Sequence, residues 1–193
     1  MDETQIPWVL VEPGSVMVGS DDRSILFGGI GPRHEVSIDY PYRISERPLD
    51  FEELAAIEEN SGMEIASDSE WQLAYSRGLL SGVDGSSESL ADSTQDYWGK
   101  ACDGRPFVNG GHSPNLIRRW KSGKAETLTV FSQRRTGEPI SDGVRMVVRD
   151  HTGWGDNPLS IPNRINRSEV IFEEILICMV LGILPSFVWA LFN

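Results

Sequence analysis

The side chains that could do chemistry fall into four sets. The first is a pair of cysteines, Cys102 in a Gly/Asp-rich stretch and Cys178 in a strongly apolar run. Their settings argue against a disulfide framework. The second is three histidines, His34, His112 and His151, with no paired spacing among them. A metal site needs several convergent ligands, so His34, beside Gly31-Pro32, reads as a hydrogen-bonded structural residue and no metal site is expected. The third is Ser132, with no evident His/Asp partner in the sequence; a triad is defined by geometry, which leaves a hydrolase open. The fourth is two arginine pairs, Arg118-Arg119 and Arg134-Arg135. Guanidinium forks match carboxylate or phosphate, so these four residues are the candidate binding residues for an anionic ligand. The competing reading is ion pairing on an acidic surface. No catalytic residue is assigned, and no cofactor is implied.

The element best placed to organise these residues is Ala66–Gly78. Ser67 followed by Glu70 is a capping box, in which the hydroxyl accepts from the N3 amide and the carboxylate reaches back to the cap amide. Trp71, Ala74, Tyr75 and Gly78 then fall on one helical face, and Gly78 suits the C′ stop. Asp50 is a second cap, for a helix running to about Asn60 with Phe51, Leu54 and Ile57 facing inward.

The chain has 193 residues, 17 basic against 29 acidic, for a formal net charge of −12. That length supports one ordinary domain with a real core. Such acidity argues against nucleic-acid binding, which needs basic patches. The N-terminus shows no positive region followed by an apolar one, so no secretory signal peptide is expected.

Trp8–Ser20 reads as two short strands about a Pro13-Gly14 turn, and Val36 and Ile38 alternate as in a further strand. Ser81–Asp96 is rich in Ser, Gly and Asp and reads as a mobile surface loop. Thr127 to Val130 and Gly143 to Val148 read as core strands.

Several of these stretches resemble one family. Ser67-Asp-Ser-Glu-Trp71 through Ala74-Tyr-Ser-Arg-Gly78 is similar to the Pro-Thr-Glu-Ala-Glu-Trp-Glu-Tyr-Ala-Ala-Arg-Gly signature of the sulfatase-modifying factors, which include the formylglycine-generating enzymes. Met17-Val-Gly-Ser20, Gly31-Pro-Arg-His-Glu-Val36, Tyr97-Trp-Gly99 and the closing Gly143-Val-Arg-Met-Val-Val-Arg149 resemble further landmarks of that family. The resemblance touches both ends of Trp8–Asp150. It implies an α+β fold, a C-type-lectin-like domain with two short helices and short antiparallel strands.

The chain also departs from the family pattern. The Gly-Leu-Tyr-Asp-Met-x-Gly-Asn-Val-Trp-Glu-Trp block, which in the family brings part of a calcium site, is absent between Trp98-Gly99 and Gly110-Gly111. Calcium takes six to eight oxygen ligands, so no calcium site is expected. Formylglycine generation uses two cysteines that bind copper(I), a task for soft thiolates. Where a Tyr-Cys-x-Arg motif would stand, the chain has Phe131-Ser132-Gln133-Arg134, and the family chemistry is expected to be lost.

Residues 151–169 read as a Gly/Pro/Asn-rich linker between a domain over 1–150 and a membrane helix over 170–193. Ile175–Phe192 is an uncharged apolar run of 18 residues, spanning ~27 Å as a helix against a hydrocarbon core of ~30 Å. The expectation is a single-pass, tail-anchored protein that contacts membrane lipid through Ile175–Phe192. Arg164 and Arg167 place residues 1–169 in the cytoplasm by the positive-inside tendency.

Two functional classes compete. One is a membrane-anchored, non-catalytic binding or scaffold module for a protein or small polar ligand. The other is a protein-modifying oxidoreductase of the formylglycine-generating type with a rebuilt site.

Overall fold

Ser67 starts its helix as its chemistry dictates. In the computed structural model its hydroxyl accepts from the Glu70 amide at 3.2 Å, and its own amide donates to Glu70 Oε2 at 2.9 Å. The helix, α2, covers Asp68–Ser76, and Gly78 follows at φ +69°, the left-handed stop that glycine adopts without a Cβ penalty. Asp50 caps α1 (Phe51–Ala55) by the same reciprocal pair with Glu53. Leu54 and Ile57 pack inward, whereas Phe51, expected on the inner face, is exposed.

The structure describes residues 6–21, 30–57, 62–110, 114–130, 141–151, 153–162 and 167–192. Four strands, β1 (Trp8–Val11), β4 (Tyr42–Ser45), β10 (Met146–Arg149) and β5 (Glu64–Ile65), form one sheet in the order β1-β4-β10-β5. β2 (Gly14–Val18) pairs with β3 (His34–Ile38). The Pro13-Gly14 turn therefore joins strands of two different sheets instead of closing a hairpin. A third sheet has the order β8-β7-β6-β9, from β6 (Ser87–Ser93), β7 (Asn115–Lys121), β8 (Lys124–Val130) and β9 (Gly143–Val144). Within the described residues the unit is a mixture of antiparallel sheet and short helices.

β6 corrects the expectation of a surface loop over Ser81–Asp96. Glu88, Leu90 and Asp92 are all buried, at the two-residue period that turns alternate side chains to one face. Acidic residues made the stretch look solvated, yet both carboxylates are paired inside. α2 packs Trp71, Leu73 and Ala74 into the main core with Val36, Ile44, Leu116 and Val147. Ile161 also packs there, so the first compact unit runs from Met1 to Ile161.

The second unit, Pro162–Asn193, overturns the membrane-helix expectation. Among the described residues no helix is long and apolar enough to cross a membrane. The apolar run is divided between α3 (Arg167–Cys178), a π-helical segment Met179–Ile183, and α4 (Leu184–Phe192). α3 has 12 residues, opens on Arg167 and carries Glu173 and Glu174. α4 has 9 residues and is about 14 Å long, half a hydrocarbon core. With that goes the basis for tail anchoring, for a single-pass membrane location with residues 1–169 in the cytoplasm, and for lipid contact through Ile175–Phe192.

Candidate functional site

Four buried carboxylates are each matched by a base of their own, and one of the pairs reaches the candidate site. Asp92 Oδ1 takes Lys100 Nζ at 3.0 Å, and Asp68 Oδ1 takes both Nε and Nη2 of Arg118 at 2.9 and 2.6 Å. Glu70 Oε1 takes Arg149 Nε at 2.6 Å, and Glu88 Oε2 takes Arg145 Nε at 2.6 Å. A buried charge is tolerated only when it is paired and its remaining hydrogen-bonding positions are filled. Glu88 meets that condition fully. Its two oxygens also accept the indole N–H groups of Trp71 at 2.9 Å and Trp120 at 2.5 Å, and a second nitrogen of Arg145 at 2.9 Å. Asp92 accepts the amides of Asp68 and Phe107 besides Lys100. Burial nevertheless pushes the Asp92 carboxyl up, against the pull of Lys100.

Of these paired residues, Arg118 lines a cleft of about 370 Å³. α2 contributes Gln72 and Tyr75, β7 contributes Arg118, and β8 contributes Ala125 to Thr127. Met17 and Val18 of β2 and Tyr97 also line it. Tyr97 donates to Asp68 Oδ2 at 2.5 Å, and burial is the main reason its phenol is held far above its ordinary range. The Arg118 guanidinium lies 4.6 Å from the Trp71 ring centroid, a cation–π contact that holds its plane. Nη1 is the Arg118 nitrogen that makes no bond to Asp68. Among the described residues the cleft lining contains neither cysteine nor histidine.

Alternation along β7 separates the first arginine pair. Arg118 is buried, while Arg119 is exposed on the other face, in register with Glu126. The two do not form one anion-binding fork. Arg134 and Arg135 lie outside the described residues, as do Ser132 and His112. His34 and His151 are described, and among the described residues no group of three or more His, Cys, Asp or Glu could hold a metal ion. His34 donates from Nδ1 to the Pro32 carbonyl at 2.8 Å and stacks edge-on to Tyr97. Cys102 and Cys178 are both free thiols, and burial raises the Cys102 thiol above its ordinary range, which disfavours the nucleophilic thiolate.

No family model, no curated protein and no solved structure matches the chain.

Sequence reading saw Glu70 only as a cap and missed Asp68, Glu88, Asp92 and the buried roles of Lys100, Arg145 and Arg149. A signal was present. Arg145 interrupts the apolar stretch Gly143–Val148, and Glu88 and Asp92 flank Leu90 at strand spacing. A charge at an inward position of a strand requires a buried partner of the opposite sign.

Proposed function

We propose that the first unit is a non-catalytic binding or scaffold module on a sulfatase-modifying-factor-like domain, with the cleft as its recognition surface. The observation that carries this reading is the state of the charged groups in the unit. The four buried carboxylates are each neutralised by a buried partner, and the carboxylate in the lining, Glu126, is exposed and in register with Arg119. What reaches the cleft is suited to holding a ligand: an aromatic ring at Tyr75, a carboxamide at Gln72, a guanidinium nitrogen at Arg118 and a hydroxyl at Thr127.

The family part of the proposal rests on the capped Ser67–Gly78 helix and on the order of strands, two short helices and a closing strand Met146–Arg149. Fold by itself does not settle function, so the test is made at the cleft. Amide spectra of the protein are recorded against glucose, glutamate and triglycine at millimolar concentration. The module reading expects at least one of them, or a longer peptide, to shift Gln72, Tyr97 and Thr127. Silence at the cleft across sugars, amino acids and peptides overturns it. So does conversion of a sulfatase peptide's cysteine to an aldehyde when copper(I) and oxygen are supplied.

A further inference from the structure

Two strand edges open onto the cleft, and the hydrogen-bond parity of their ladders shows which main-chain groups they present. On β7, both the amide and the carbonyl of Trp120 are used on the β6 side, with Ser86 and Gly85. In an antiparallel ladder such a residue forms the non-hydrogen-bonded pair with the other neighbour. Trp120 is in register with Ala125, and Arg118 with Thr127, so Ala125 and Thr127 turn their amides and carbonyls to the outer edge of β8. The Tyr75 hydroxyl confirms this direction by accepting the Ala125 amide at 3.3 Å. Two residues on, among the described residues no hydrogen bond reaches the Thr127 main chain.

The edge of β2 follows the same logic. Ser37 of β3 donates its amide to Cys102, away from β2. Ser37 is in register with Ser15, and Glu35 with Met17, so Met17 turns its amide and carbonyl to the outer edge of β2. Both Met17 and Thr127 line the cleft. Unpaired edges are ready templates for another strand.

We infer that this cleft takes an extended, basic peptide segment of a partner protein by strand addition, pairing with Thr127 of β8 and Met17 of β2. The inference rests on the module reading above and names its ligand. Main-chain hydrogen bonds supply affinity in this mode and alternate side chains supply specificity. Charge sets the sign of the partner. The chain carries −12, Glu35 is exposed opposite Met17 and Glu126 is exposed beside Thr127. Arg118 adds no net cation, because Asp68 neutralises it. Its Nη1, which Asp68 does not use, donates to a peptide carbonyl.

The test uses the full chain and an octapeptide of alternating Lys and Val, followed by amide shifts at Met17 and the flanking residues Glu126 and Leu128. Two further Lys-Val peptides are N-methylated on one or the other set of alternate residues, and a Glu-Val octapeptide serves as the charge control. The expected result is saturable binding of the Lys-Val peptide, weakened about tenfold or more by either methylation pattern, since each removes main-chain bonds. The Glu-Val peptide should bind at least about tenfold more weakly, from charge repulsion. Thr127→Pro deletes one outward amide without touching the β7 ladder, a place where an edge strand accepts proline; it should weaken the Lys-Val peptide similarly. The methylated peptides keep the test decisive if that variant does not fold. Equal binding of methylated and unmethylated peptides means adsorption to an acidic surface and overturns the inference. So does equal binding of the acidic peptide, or no binding of the Lys-Val peptide. If glucose, glutamate or triglycine still shifts the cleft in that last case, strand addition falls and the module reading stands.

Discussion

At the scale of single residues, charge pairing and tautomer state decide what each group costs or contributes. Glu88 holds Arg145 and two indole N–H groups in a region closed to water. Glu88→Gln keeps the shape and removes the charge, leaving the Arg145 guanidinium buried without a counter-ion. The expected loss is about 3–5 kcal/mol, the usual cost of breaking a buried pair, read as a lower urea midpoint at unchanged slope. His34 gives a pH dependence. Because Nδ1 donates to Pro32, the neutral ring leaves Nε2 unprotonated, and that atom is buried without a partner among the described residues. Burial is the largest cause that lowers its pKa from 6.5; Lys100 lowers it further, while the Pro32 bond and Asp68 pull the other way. The unfolded chain therefore holds the extra proton between the two pKa values, and stability rises with pH through that window. It is fully present above about 6.5. Thermal unfolding at pH 5 and pH 7.5 should show a drop on acidification that is smaller in His34→Gln; equal drops would remove His34 from the account.

Among the elements, α2 carries the most. Its N-terminus is satisfied by Ser67 and Glu70, and Trp71, one residue after that carboxylate, is fixed by Glu88 of β6. Ser67 also donates to the Gly104 carbonyl at 2.6 Å, so one hydroxyl serves both the cap and the loop beneath it. Ser67→Ala is expected to destabilise by about 1–2 kcal/mol, the range for a lost cap, measured by denaturant unfolding. Ser67→Asp, which retains an acceptor but cannot donate to Gly104, should recover only part of that loss. The hairpin between β7 and β8 turns on Ser122 and Gly123, at φ 53° and 72°. Positive φ at both central residues is the two-residue turn whose twist matches the strands. It sets the register that turns Arg118 inward and Thr127 to the open edge.

For the whole molecule, the division into Met1–Ile161 and Pro162–Asn193 makes its own prediction. A chain ending at Ile161 retains both hydrophobic clusters and all four buried ion pairs. It should keep the thermal midpoint of the full chain within about 2 °C, below the shift that ~1 kcal/mol produces in a domain of this size. A larger fall would show that the second unit supports the first. What the sequence alone determined is local. The Ser67 and Asp50 caps, the Gly78 stop and the closing strand were legible because their hydrogen bonds or apolar alternation join residues only a few positions apart. Tertiary structure alone decided the fate of the charges, because Asp68 meets Arg118 and Glu88 meets Arg145 across 50 and 57 positions. No count of acids and bases reveals such pairings. It also decided that the apolar tail is divided among three helical segments, none of membrane length. Hydropathy measures how apolar a run is, while the backbone hydrogen-bond pattern determines how long a helix it builds.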